Sequence, residues 1–208
     1  MKSTAPGAPL FVSLEGLDGS GKTTQIVRVA DFYEKRNPKG VVVTREPGGT
    51  EVGERIRNIL LEHGSLHPQT ELLLLFAARV QHIKTVVAPA LALGKTVVCD
   101  RYQDATYAYQ GYGRGLGVEL IDGLSDLLAV PLPDLTLYFD VPVSVALGRR
   151  VGRSADRIEA EGEAFFERVR EGYQARVRAQ PDRFVVIPAA GSLAEVAQAV
   201  DTALMAHL

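Results

Sequence analysis

Eight residues near the start of the chain, Gly16-Leu17-Asp18-Gly19-Ser20-Gly21-Lys22-Thr23, follow the spacing G-x-x-x-x-G-K-[ST]. Residue types in that order suit the holding of phosphate. Glycines let successive backbone N–H groups turn inward around an anion, and a helix starting at the far end adds the positive end of its dipole. Lys22 supplies a point charge for the outer phosphates of a nucleoside triphosphate, and the Thr23 hydroxyl suits Mg²⁺. Together with Thr24, these residues form a candidate triphosphate-binding loop. The chain holds 17 arginines against 6 lysines. Arginines recur in three further clusters: Thr44-Arg45-Glu46-Pro47-Gly48-Gly49-Thr50, Phe76-Ala77-Ala78-Arg79 and Asp100-Arg101-Tyr102. A guanidinium fork matches phosphate oxygens, so Arg45 and Arg101 are candidates for a second phosphate beside the first. Each cluster also has a plainer reading. Arg45 would pair with Glu46 or Glu51, Asp100 and Arg101 would form a structural ion pair, Phe76 would be core and Arg79 solvated.

The elements that must position these residues follow from hydrophobic pattern. A buried strand is expected at 10–14 and a helix at 22–36, so the glycine loop lies between them. Further strands are expected at 41–44, 96–100, 135–141 and 184–187. Helices are expected at 52–62, at 68–93 with a bend at Pro89, at 118–129, after Pro142, at 160–180, and from Ser192. Glu195 completes a capping box with Ser192. Strands alternating with helices indicate an α/β chain with a five-stranded parallel sheet flanked by helices on both faces. Ligands of such sheets collect at the carboxyl ends of the strands. The polar clusters at 16–24, 45–50, 100–110 and 149–157 all follow strand ends. Residues 1–9 read as a frayed tail and 10–208 as a single domain.

The 208 residues are 46% hydrophobic and 23% charged, ordinary globular values. A net charge of −2 gives no general attraction to nucleic acid or anionic lipid. The lone Cys99 forms no internal disulfide, which fits a reducing compartment. No uninterrupted apolar run approaches the roughly 18 residues of a membrane span. The expectation is a cytoplasmic protein with no nucleic-acid and no membrane partner. A GTPase would offer Asn-Lys-x-Asp and a strand-end Asp-x-x-Gly; here the acid ending the third strand continues as Asp100-Arg101-Tyr102-Gln103.

In combination, residues 15–25, 44–50, 75–79, 100–102, 108–111 and 156–159 resemble the thymidylate kinases, over nearly the whole chain. The resemblance implies a three-layer P-loop nucleoside-monophosphate-kinase fold. It implies transfer of the ATP γ-phosphoryl group to dTMP, giving dTDP, with Mg²⁺ and as a homodimer. It further implies that Asp18 accepts from the 3′-hydroxyl of dTMP, that Arg45 and Arg101 hold its phosphate, and that Phe76 stacks on thymine. Arg79 would bond a ring carbonyl, Thr106 and Gln110 would meet the base edge, Tyr109 would crowd C2′, and Asp100 would join Thr23 in positioning Mg²⁺. Some members carry a basic residue inside the glycine loop, where this chain has Gly19. Here Arg149, Arg150, Arg153 and Arg157 crowd a candidate lid insert at 149–159, as in the bacterial type. A transferring phosphoryl group needs a cation; Arg153 is the favoured lid residue and Arg149 the next, beside Lys22 and Arg101. Two other readings stay open: a deoxynucleoside kinase acting on thymidine, for which Glu15 is the only candidate base, and a nucleotide-binding adaptor without catalysis.

Overall fold

The computed structural model describes residues 8–62, 64–150 and 156–207. Five short strands, rich in β-branched and aromatic residues, are β1 (Phe11–Gly16), β2 (Val41–Arg45), β3 (Thr96–Asp100), β4 (Leu135–Asp140) and β5 (Phe184–Pro188). They make one parallel sheet in the order β2-β3-β1-β4-β5. Every residue of β1 is buried, because helices cover both faces of a parallel sheet. The chain winds from β1 to one edge and returns through β3, then crosses β1 to continue with β4 and β5. The crevice at the carboxyl end of β1 is thus the topological switch point. Register sets Asp100 opposite both Arg45 and Leu14, and Gly16 opposite Phe139, so the polar strand ends share one rim.

Nine α-helices are described: α1 (Lys22–Glu34), α2 (Glu51–Glu62), α3 (Pro68–His82), α4 (Ala88–Ala92), α5 (Gln103–Thr106), α6 (Val118–Leu127), α7 (Val143–Gly148), α8 (Glu163–Ala179) and α9 (Leu193–Ala206). The capping box at the start of α9 is present, with Ser192 and Glu195 bonding each other's backbone N–H. Two elements differ from the sequence reading. First, α3 runs into α4 through a π-helical turn, Ile83–Val87. Pro89 cannot donate to the preceding turn, and the widened turn takes up the mismatch just ahead of it. The continuous run Pro68–Ala92 is long and apolar enough, by length and composition, to cross a membrane, which counting only unbroken apolar stretches overlooks. It carries buried Glu71, Arg79 and His82, and all three have polar or charged partners within the fold.

Second, residues expected in the turn after β3 form α5 and a π-helical turn, Tyr107–Gly113, which pack against α8. A buried polar network fixes this segment. Asp104 accepts from Arg176 Nε at 3.0 Å and from both terminal nitrogens of Arg183, at 2.7 and 2.8 Å. Arg183 also donates to Thr136 Oγ1 at 2.7 Å, and Thr136 bonds Ser13 at 2.8 Å. One carboxylate thus ties α5 and α8 to the middle of the sheet.

Candidate active site

The loop after β1 is shaped by its glycines. Gly16 has φ +144°, and a Cβ there would lie 2.7 Å from the Phe139 carbonyl oxygen. Gly19 has φ +89°, and any side chain would strike the Ala146 carbonyl. Only glycine threads this gap between β4 and α7, so position 19 has no room for a basic residue. Lys22 opens α1 and is buried, its Nζ 3.5 Å from the Leu17 carbonyl and 3.4 Å from Asp18 Oδ1. Burial and then the charge of Arg101 lower the Lys22 pKa, against the opposing pull of Asp18 and Asp100. Two cations held this close in a buried site make it favourable for an anion.

Arg101 stands across from Lys22. Its backbone adopts φ +62°, a strained conformation for a residue with a side chain, and its N–H donates to the Leu14 carbonyl at 2.9 Å. Its guanidinium donates to Asp18 Oδ1 at 2.8 Å, to the Gly16 carbonyl at 2.9 Å and to Tyr173 Oη at 3.1 Å. It also lies 5.1 Å from the Tyr109 ring centre. Burial alone would raise the Asp18 pKa, yet Arg101 and Lys22 outweigh it and hold the carboxyl well below the usual carboxylate range.

From Asp18 and Arg101 an open cleft extends past Arg57, Tyr109, Thr106, Arg79 and Gln110, a concave site with a few convergent polar groups, of the kind that takes a small-molecule ligand. Arg79 is wholly buried at the inner end. It donates to Glu46 at 2.8 Å, Thr106 Oγ1 at 2.9 Å and the Tyr102 carbonyl at 3.3 Å, while its Nη1 has no partner. Glu46 also bonds His82 Nδ1 at 2.8 Å, and His82 Nε2 lies 2.7 Å from Thr44 Oγ1. Glu46 and His82 hold Arg79 in place, and neither was singled out for this in the sequence.

Asp18, Arg79, Arg101, Thr106, Tyr109 and Gln110 therefore meet in one cavity. Two residues expected with them do not. Arg45 has a half-exposed side chain bonded to Glu54 at 2.8 Å, and it lines a separate depression beside Asp100. Arg57 of α2 takes the cavity wall instead; burial and then the neighbouring charge of Arg45, with a smaller contribution from Arg101, lower its pKa. The sequence held a signal for Arg57, which lies four residues after buried Gly53 and three before buried Leu60, on the inward stripe of α2. Phe76 is 2% exposed and packs with Leu72, Tyr107 and Ile121 behind the wall. The guanidinium carbon of Arg79 lies 5.2 Å from its ring centre, so Phe76 supports Arg79 and presents no face for stacking in this structure.

The Thr23 hydroxyl donates to Asp100 Oδ2 at 3.3 Å, and Asp100 Oδ1 is buried without a partner. A hydroxyl and a carboxylate with a spare oxygen are oxygen donors of the kind Mg²⁺ takes alongside phosphates. Among the described residues no three His, Cys, Asp or Glu side chains group as a metal site. Arg149 binds four backbone carbonyls: Ala189 at 2.8 Å, Ala190 and Gly191 at 3.0 Å each, and Gly19 at 3.3 Å. It pins the turn after β5 to the glycine loop, and its guanidinium is committed there rather than to a moving group. Arg157 donates to the Leu60 carbonyl at 2.8 Å and to Glu71 at 2.5 Å. Arg153 lies outside the described residues. Glu15 is fully buried, accepting from the Tyr102 N–H at 2.7 Å and the Tyr173 hydroxyl at 2.9 Å.

Comparison with known proteins identifies the family. A family model described as thymidylate kinase matches residues 14–200. The chain belongs to the thymidylate kinase family. A thymidylate kinase of Pseudomonas fluorescens is 49% identical over 199 residues, covering 94% of each chain. That of Cupriavidus necator is 52% identical over 189 residues, covering 89% of this chain and 93% of its own. The crystal structure of thymidylate kinase from Ehrlichia chaffeensis superimposes with a TM-score of 0.78 at 36% identity, covering 95% of this chain and 99% of its own. The three-layer arrangement of a P-loop nucleoside-monophosphate kinase is thus the architecture of this thymidylate kinase family member too.

Proposed function

We propose that the protein transfers the γ-phosphoryl group of ATP to dTMP, giving dTDP. The observation that carries this is the convergence of Lys22 and Arg101 on one Asp18 oxygen, at 3.4 and 2.8 Å, where the glycine loop meets the cavity. The triphosphate lies on the loop amides from Gly16 to Thr24. The dTMP phosphate lies between Arg101 and Arg57, its sugar beside Asp18 and Tyr109, and its base toward Arg79, Thr106 and Gln110. Thr23 and Asp100 would hold Mg²⁺, which when bound screens the phosphate charges.

A phosphate acceptor is already anionic near neutral pH, so the site needs no strong base. The rate arises from holding two phosphates in line and surrounding the moving group with positive charge. Lys22 and Arg101 supply that charge within the described residues, and Arg153 supplies it from the segment 149–159, read as a lid on the single domain. The thymidine-kinase reading needs a carboxylate at the acceptor hydroxyl. Glu15, closed off by Tyr102 and Tyr173, is poorly suited to it. Exposed Val52 and Ile59 on α2 and Leu73 on α3 support a homodimer, and the single buried thiol, Cys99, fits a cytoplasmic enzyme.

Incubation of purified protein with ATP, Mg²⁺ and a panel of nucleosides and monophosphates tests the reading. Formation of dTDP from dTMP is expected. Phosphorylation of thymidine, or no transfer to any acceptor, would contradict it.

A further inference from the structure

Gln110 and Arg79 both line the cavity, but the orientation of Gln110 is set by a residue outside the reacting groups. Glu71, at the start of α3, is 1% exposed. Its Oε1 accepts from Gln110 Nε2 at 2.6 Å and from Arg114 Nε at 3.4 Å, and its Oε2 accepts from Arg157 at 2.5 Å. Arg114 in turn pairs with Glu161. A carboxylate between two guanidinium groups only accepts hydrogen bonds. Gln110 must therefore turn its NH₂ toward Glu71, which leaves its Oε1 as the acceptor it offers a ligand in the cavity that both residues line. An amide flip would set the Gln110 carbonyl oxygen against the carboxylate in a dry site, where an unmade bond is costly.

We infer that Glu71 is a specificity-determining positioning residue: by locking the Gln110 amide, it makes the cavity select a pyrimidine with a ring N–H beside a carbonyl. Gln110 Oε1 is an acceptor, and Arg79 Nη1 is a buried donor without a partner. This pair complements the N3–H and O4 edge of thymine or uracil. Cytosine presents the reverse, an N3 acceptor beside an amino donor, and would set like against like at both positions. Arg79 alone, being donor-only, opposes the amino group. The lock at Glu71 adds opposition at N3, because a free glutamine would flip to serve either base. Arg157 and Arg114 fix the position of the Glu71 carboxylate, so residues from the lid-side segment and from the end of the π-helical turn jointly hold the base-reading amide.

The inference rests on dTMP being the acceptor, and the experiment separates the two claims. kcat and KM for dTMP and dCMP are measured with wild type, Glu71→Gln, Gln110→Met and the double variant. In Glu71→Gln the ratio of kcat/KM for dTMP over dCMP is expected to fall tenfold or more, through KM, with kcat for dTMP within about threefold of wild type. Gln110→Met should lose the same discrimination, and the double variant no more than the larger single loss. An unchanged ratio in Glu71→Gln, or losses that multiply in the double variant, would overturn the role of Glu71. A wild-type protein that does not phosphorylate dTMP would instead overturn the functional reading. Should Glu71→Gln lose its folding transition, the wild-type protein still decides. Its Gln110 side-chain NH₂ resonances, assigned by their loss in Gln110→Met, should be slowed in solvent exchange, and exchange at the rate of a free amide would contradict the lock.

Discussion

At the scale of single residues, the site sets burial against charge. Arg101 donates through a planar fork to a carboxylate, a carbonyl and a phenol at once. Lysine keeps the charge but cannot reproduce that geometry. Arg101→Lys is therefore expected to lower kcat by about 10²–10³-fold, the usual scale for losing a donor aimed at developing charge, while the thermal midpoint moves little. A steady-state assay beside a melting curve checks this. Phe76→Ala should behave in the opposite way. With its ring in the core, truncation is expected to cost about 3–5 kcal/mol of stability, read from denaturant unfolding, with loss of dTMP affinity following only through Arg79.

Glu15 gives a pH signature. Burial, and then the charge of Asp104, push its pKa from 4.5 up to about 8. The folded protein thus keeps a proton that the unfolded chain releases near pH 4.5. Its contribution to stability is fully present below that pH and is lost as pH rises through about 8. Wild type is expected to lose stability across this window, and Glu15→Gln to flatten the loss. Urea midpoints at pH 5, 6.5 and 8 measure the difference.

At the scale of elements, the site depends on helices pinned by buried polar links. Asp104 is the clearest, because Asp104→Ala strands Arg183 and Arg176 beside the sheet. A buried cation without its partner costs about 3–5 kcal/mol, so the variant should unfold at markedly lower urea with its α5 segment released first, as followed by amide hydrogen exchange. These elements also show what the sequence could reveal. The strands and the glycine loop were legible because apolar runs of fixed length and glycines with positive φ leave a local imprint. The helical stretch 103–113 was not. Its π-helical turn breaks the 3.6-residue period, and its tyrosines and glycines form no apolar stripe. Arg57 was missed because a charge on a helix reads as solvated until the helix is docked. Arg45 and Phe76 were assigned to the cavity from motif position, but a neighbouring acid and a packed core decide where their side chains point.

At the scale of the whole molecule, the strand order places β1 between two oppositely wound halves, and everything chemical gathers at its carboxyl end. The glycine loop, Asp100 and Arg101 come from adjacent strand ends, whereas Arg57, Arg79 and Gln110 arrive on helices laid across the same rim. The sheet direction and the motifs were readable from sequence, but the pairing of Arg79 with Glu46 and of Gln110 with Glu71 needs contacts between residues 33 and 39 positions apart.

The central claim is that two nucleotides meet end to end at Asp18, one on the glycine loop and one in the cavity. A crystal structure with dTMP and a non-transferable ATP analogue tests it most directly. The account predicts the dTMP phosphate within hydrogen-bond reach of Arg101 and Arg57, with the base edge on Arg79 and Gln110 and the analogue's terminal phosphate facing it beside Lys22. A dTMP bound outside this cavity, or bound with its base toward Lys22, would contradict it.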